Sequence, residues 1–263
     1  MSVHSSTSPG VHLGRVAVAV LVALGIPTAG AADTKETETV DRVVAMQPGG
    51  TLTVKNFSGR VEITGSDRSD VAVHAVRRAT RENLDRIKLE VTGDGPNVTI
   101  EANHRLEKVR GKDNVVETDL TIQVPREANL DVQVFSSPVT VQGVAGARHR
   151  VKSFSGDLRL DGLSGPVDAE TFSGAIEFAS SAWIGGHALR FKTFSGDVGV
   201  RLPREAAGSV EFDSFSGDLN SDLPLALRTK TKRTLRAELG ASDAPARGEL
   251  YVKTFSGDVR LLK

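Results

Sequence analysis

Residues 189–200 read Leu-Arg-Phe-Lys-Thr-Phe-Ser-Gly-Asp-Val-Gly-Val. The run before Phe194-Ser195-Gly196 alternates apolar and polar residues. A period of two marks a strand with one buried face, and a glycine after it suits a corner. The tripeptide returns at Phe57-Ser58-Gly59, Phe154-Ser155-Gly156, Phe172-Ser173-Gly174, Phe215-Ser216-Gly217 and Phe255-Ser256-Gly257, with a degenerate copy at Phe135-Ser136-Ser137. From Phe135 the steps are 19, 18, 22, 21 and 40 residues. The last is close to two steps.

A second, weaker corner lies between copies, at Gly143-Val144-Ala145-Gly146, Gly162-Leu163-Ser164-Gly165 and Gly185-Gly186. Each unit of roughly 20 residues therefore holds two strands and two turns. No unit buries its inner face alone, and stacking closes a continuous core. The expectation is an all-β chain, a β-solenoid of about ten coils with like residues in ladders ~4.8 Å apart. Residues 126–263 carry the regular repeats. Residues 32–125 are less regular, with strands expected near 37–46, 50–55, 60–65, 70–77, 86–93, 96–102 and 114–124 and helical turns over 79–86. The stretch Val124-Pro125-Arg126-Glu127-Ala128 returns as Leu202-Pro203-Arg204-Glu205-Ala206, where proline ends a strand at an edge or corner. Residues 221–246 break the period. They carry Arg228, Lys230, Lys232, Arg233 and Arg236 and read as a strand pair or loop protruding from the rod, its basic run a solvated face.

Composition excludes several classes. Lys plus Arg and Asp plus Glu each number 33, against the basic excess of a nucleic-acid binder. The absence of cysteine removes disulfides, thiolate metal sites and a cysteine nucleophile. Arg15, the apolar run Val16 to Ile26 and Ala29-Gly30-Ala31 form the pattern of a signal peptide over residues 1–31. The run is too short to span a bilayer as a helix. The expectation is an exported single domain, 32–263, in the periplasm or at the cell surface, with no transmembrane span after cleavage.

Candidate chemistry is sparse. His74, His104, His149 and His187 show no zinc-ligand spacing. The repeat serines are too many to be one nucleophile and no nucleophile elbow is present; a hydroxyl ladder lining the corner explains them. Asp157, Asp197, Asp218 and Asp258 recur, but Arg60, Pro138 and Ala175 fill the same position elsewhere, so the aspartates read as turn residues accepting local N–H bonds and not as calcium ligands. No catalytic, metal or cofactor residue is assigned. The residues singled out are the repeat ones: Phe57, Gly59, Phe154, Gly156, Phe172, Gly174, Phe194, Gly196, Phe215, Gly217, Phe255 and Gly257. Strict alternation sets Phe255 outward with Lys253, making an aromatic stripe. A corner bulge would instead turn the rings into the core. The aggregation hazard of seven exposed rings favours the inward reading.

The segments Ile122-Gln123-Val124-Pro125 and Leu130-Asp131-Val132-Gln133-Val134, the repeated Ser-Gly-Asp-Leu/Val units and the closing Gly248 to Val259 together resemble the bacterial β-solenoid family catalogued as “putative adhesin”, a domain of unknown function. The resemblance covers roughly residues 40–263. It implies the solenoid fold and no catalytic residues. The function expected is a non-enzymatic envelope scaffold or adhesin-like module whose partner is an envelope protein or glycan. The alternatives are a carbohydrate-active β-helix enzyme, which would gather ionisable groups in one deep pocket, and an envelope sensor or regulatory domain. At Lys263 the chain leaves straight from a strand. Segment 221–246 folds over that edge, or the C-terminal edge pairs with a second copy or a partner by strand addition, or the edge simply stays exposed.

Overall fold

The computed structural model describes residues 34–105, 115–181, 183, 186–241, 244 and 247–263; the signal-peptide reading of 1–31 lies outside them. The less regular part forms β1 (Glu36–Ala45), β2 (Thr51–Ser58), β3 (Val61–Ser66), β4 (Asp70–Ala79), the helix α1 (Arg81–Arg86), β5 (Ile87–Asp94), β6 (Asn97–Arg105) and β7 (Glu117–Pro125). These are the seven strands and the helical turns that the pattern predicts. The repeats then give β8 (Asn129–Ser136), β9 (Val139–Gln142), β10 (His149–Ser155), β11 (Leu158–Asp161), β12 (Val167–Ser173), β13 (Ile176–Ala179), β14 (Ala188–Ser195), β15 (Val198–Arg201), β16 (Gly208–Ser216) and β17 (Leu219–Ser221). A hairpin of β18 (Leu225–Lys230) and β19 (Thr234–Leu239) precedes β20 (Gly248–Ser256) and β21 (Val259–Leu262). Among the described residues no helix is long and apolar enough to cross a membrane.

Each coil crosses one sheet, turns at the Phe-Ser-Gly corner and returns through a second sheet. In the regular repeats the longer strand of each coil joins an 11-stranded sheet and the shorter one a 10-stranded sheet. Coils pair in parallel and in register, so Val151, Ala169, Phe191 and Val252 occupy one ladder. That ladder meets Leu160, Phe178 and Val200 of the facing sheet in a single core. Phe178 and Phe191 touch across it, ring centroids 5.3 Å apart.

Spatial order departs from chain order at both ends. Among the described residues eight two-strand coils stack, fewer than the ten expected: β6/β7, β2/β3, β8/β9, β10/β11, β12/β13, β14/β15, β20/β21 and β16/β17. The coil β2/β3 sits between β6/β7 and β8/β9, and β20/β21 sits between β14/β15 and β16/β17. The expectation of an open C-terminal edge is therefore overturned. β21 pairs with β15 on one side and β17 on the other, so its backbone groups are already taken and strand addition there has no template. Segment 221–246 does cover a rod end, but the end it covers is β16, to which β19 pairs antiparallel. It extends the sheet rather than protruding, and buries Ala237 and Leu239.

The insertions explain the repeated Pro-Arg-Glu-Ala. The returns from β9, β11 and β13 each climb one coil. From β7 to β8 and from β15 to β16 the chain steps over an inserted coil, about 9.6 Å along the rod. Both steps use the same turn, in which Ala128 N–H donates to the Pro125 carbonyl and Ala206 N–H to that of Pro203, each at 3.0 Å.

At the opposite end β4 and β1 extend the second sheet antiparallel, and β5 extends the first. Arg77, 2% exposed, is held there by the Glu38 carboxylate and the Ile87 carbonyl. Thr80 caps α1 by accepting from Asn83 N–H.

Glycine at the Phe-Ser-Gly corner answers a close approach. A Cβ on Gly196 would overlap the Gly174 carbonyl oxygen, and one on Gly257 that of Gly196. Gly217 faces Gly257 in the same way but lies in the last coil, where the chain has room to move outward. Gly257→Val is therefore expected to destabilise by roughly 1–3 kcal/mol and Gly217→Val by less, reversing the ranking that chain order alone would give. Denaturant melts of the two variants test this.

His149 is fully buried in a ladder position filled by Leu130 and Val167 in adjacent coils. Its Nε2–H donates to the Ser164 carbonyl at 2.9 Å. Burial pushes its pKa below the ordinary histidine value. The unfolded chain thus takes up a proton near pH ~6.5 that the folded chain refuses until lower pH, so stability falls as pH drops through that window and levels off below the folded pKa. His149→Leu is expected to remove this loss, leaving only the carboxylate-driven fall at lower pH. Thermal melts of both proteins between pH 7.5 and 5 check it.

Candidate functional site

In the last repeat Val252 and Thr254 point into the core while Lys253 and Phe255 point out. The same parity holds in every copy. Phe57, Phe135, Phe154, Phe172, Phe194, Phe255 and Phe215 are all exposed, at 39–55%. The inward expectation is thus wrong and plain alternation is right. No bulge intervenes before the phenylalanine; the chain bends only after it, at Ser-Gly. Stacking supplies what the inward reading sought from burial. Successive centroids lie 4.7–5.1 Å apart with planes within 6°, so each ring covers its neighbours' faces without entering the core. At one end the Arg233 guanidinium, from the turn between β18 and β19, sits 4.6 Å over the Phe215 ring. Arg228, Lys230 and Lys232 of the same run are exposed, as expected.

The stack runs roughly 29 Å, six steps of the strand spacing. It lines a groove of about 1190 Å³. Beside the rings, two residues earlier in each strand, runs a second row: Lys55, Gln133, Lys152, Glu170, Lys192, Lys253 and Asp213, in spatial order. If each ring leaves about 90 Å² uncovered, the patch totals on the order of 600 Å², at the upper end for a monomer surface and in the range that marks a functional patch.

Between the two rows the strands turn Ser153, Thr171, Thr193, Ser214 and Thr254 inward. Thr171 and Thr193 hydroxyls donate to the Gly156 and Gly174 carbonyls of the preceding coil, each at 3.4 Å. The hydroxyl ladder thus falls two residues before the position expected; Ser155, Ser173, Ser195 and the other repeat serines of the regular part face solvent. The repeat aspartates also reach further than local turns. Asp157 accepts from Ala175 N–H at 2.9 Å, Asp197 from Asp258 N–H at 2.9 Å and Asp258 from Asp218 N–H at 3.0 Å. They fasten one coil to the next.

Charge is distributed unevenly along the groove. Lys152 Nζ donates to Glu170 at 2.9 Å and holds that carboxyl below its usual range. Lys192 and Lys253 stand side by side in adjacent coils, and neither forms an ion pair among the described residues. Asp213, next to Lys253, accepts from the Tyr251 hydroxyl at 3.2 Å; burial and this carboxylate push the phenol up. Glu101 and Asn103 close the far end. There Glu90, Glu101 and His104 are the one metal-compatible cluster among the described residues, with His104 Nδ1 3.0 Å from Glu90. Elsewhere His74 Nδ1 lies 2.7 Å from Asp41 at the surface, and the His187 carbonyl accepts from the Trp183 indole.

The fold and this groove define a two-sheet β-solenoid with a surface-long aromatic ladder. The chain belongs to the Toastrack DUF4097 family, whose model matches residues 119–262. A solved structure from Clostridium sporogenes, named “putative cell adhesion protein”, is similar at TM-score 0.51 and 10% identity, covering 85% of this chain and 99% of that one. A “putative adhesin” from Bacteroides fragilis matches at TM-score 0.36 and 14% identity, covering 89% and 100%. A search of curated proteins finds no match.

The stacked and core phenylalanines separate by mutation. Phe172→Ala, in the ladder, is expected to cost about 1–2 kcal/mol through two lost ring contacts. Phe191→Ala, fully buried, is expected to cost about 3–5 kcal/mol. Equilibrium unfolding of the two variants measures the difference.

Proposed function

We propose that the chain is an exported, adhesin-like interaction module of the cell envelope, a single domain over residues 32–263 once 1–31 are removed, and that the phenylalanine groove is its docking surface. The exposed seven-ring ladder carries this reading. Holding that much apolar surface in water is unfavourable, and each ring is fixed in an identical pose along the rod. The ionisable groups beside it are strung out over roughly 29 Å rather than converging on one point, which supports binding over catalysis. A linear groove suits an elongated envelope component. Because stacking leaves mainly ring edges accessible, the contact is apolar packing along the rod and not the face-on stacking that sugars and bases use.

The test uses protein recovered from its native envelope, with an N-terminus near Ala32 expected. The folded chain should capture an envelope component, and Phe154→Ser/Phe194→Ser should lose that capture while keeping the parent's circular dichroism. Capture unchanged in this variant removes the groove from the function; a main N-terminus at Met1 removes export.

A further inference from the structure

The groove presents one apolar wall, a row of lysine stems and a cluster of cations at one end only. Lys192 and Lys253 are adjacent, with no ion pair among the described residues, and the Arg233 guanidinium sits 4.6 Å over the Phe215 ring and lines the same groove. Glu170 and Asp213 flank the lysine pair in the row, but Glu170 is engaged by Lys152 and Asp213 by Tyr251, so the three cations stay in excess. The opposite end carries Glu101 against Lys55 and no cationic excess. An occupant matching this pattern is linear, apolar along its length and negatively charged at one end.

We propose that the groove binds a single anionic amphiphile, one extended acyl chain with a carboxylate or phosphate head, taken up as a monomer. This rests on the docking reading above. The head sits among Lys192, Lys253 and Arg233, and the tail runs along Phe194, Phe172 and Phe154. Two leaflets of acyl chains fill a hydrocarbon core of ~30 Å, so one extended chain spans about 15 Å, or three coils, well within the ladder. Ring edges and lysine methylenes give a chain continuous apolar contact, whereas an extended polypeptide would leave its backbone amides without partners against them. The surface is an open groove bordered by the rings, along which a single chain lies with its outer side in water.

Calorimetric titration of the folded chain with palmitate, below its micelle concentration, tests the proposal. Saturable binding is expected. Phe172→Ser/Phe194→Ser should abolish it, and Lys192→Gln/Lys253→Gln should weaken palmitate at least tenfold and hexadecanol by much less. Circular dichroism and melting of each variant establish that it is folded; should the phenylalanine pair unfold, Phe172→Leu/Phe194→Leu replaces it, with a smaller but measurable loss expected. No saturable palmitate binding, binding indifferent to the phenylalanine variants, or association only with phosphatidylglycerol vesicles overturns it. If envelope capture depends on the rings while palmitate fails to bind, the docking reading stands and the amphiphile falls. If neither depends on them, both fall.

Discussion

Parallel pairing in exact register, at the ~4.8 Å spacing of strands, governs everything else in this molecule. It sets each residue on its counterpart in the next coil, so a choice made once is repeated along the rod. Apolar residues at alternate positions become continuous core ladders. A corner packed carbonyl against Cα selects glycine in six of the coils, with Ser137 filling the position in the β8/β9 coil. The same distance is close to that at which offset aromatic rings attract. An exposed phenylalanine, which would be a liability singly, becomes one rung of a rigid surface.

That regularity has to stop somewhere, and the two ends stop it differently. One closes with β1, β4 and β5, antiparallel additions that lean together over the core and enclose Arg77 with its ligands. The other closes with the β18–β19 hairpin, which extends the long-strand sheet and delivers Arg233 to the last ring. Capping and the electrostatics of the groove are thus set by one off-period insertion. The short sheet ends in β17, a three-residue strand too brief to template much pairing.

Nearly every strand is legible in the sequence, because a period of two broken by glycine corners has one physical reading. Parity in Val252-Lys253-Thr254-Phe255 also places the rings correctly. The inward alternative weighs each ring against water alone and omits its neighbours in the stack. Coil order was not legible. All repeats present the same edges, so pairing rules cannot distinguish β20 beside β14 from β20 beside β16 alone. The one trace was the duplicated Pro-Arg-Glu-Ala, whose two copies mark the two long steps. Lys192, Lys253 and Arg233 likewise come together only through the insertion and the hairpin, from places well separated in the chain.

The inserted coil has a consequence for assembly. Residues 188–201 and 208–221 form the walls of a slot that residues 248–262 fill. A chain delivered from its N-terminus presents both walls before the filler, so stacking cannot run to completion in order, as it can in a simple solenoid. In that interval both sheets are interrupted one coil short of the rod's end, and their facing edges are joined only by the crossover at Pro203. Closure is a long-range event and correspondingly slow. The slot is also blind to origin: the same segment from a neighbouring molecule satisfies the same hydrogen bonds.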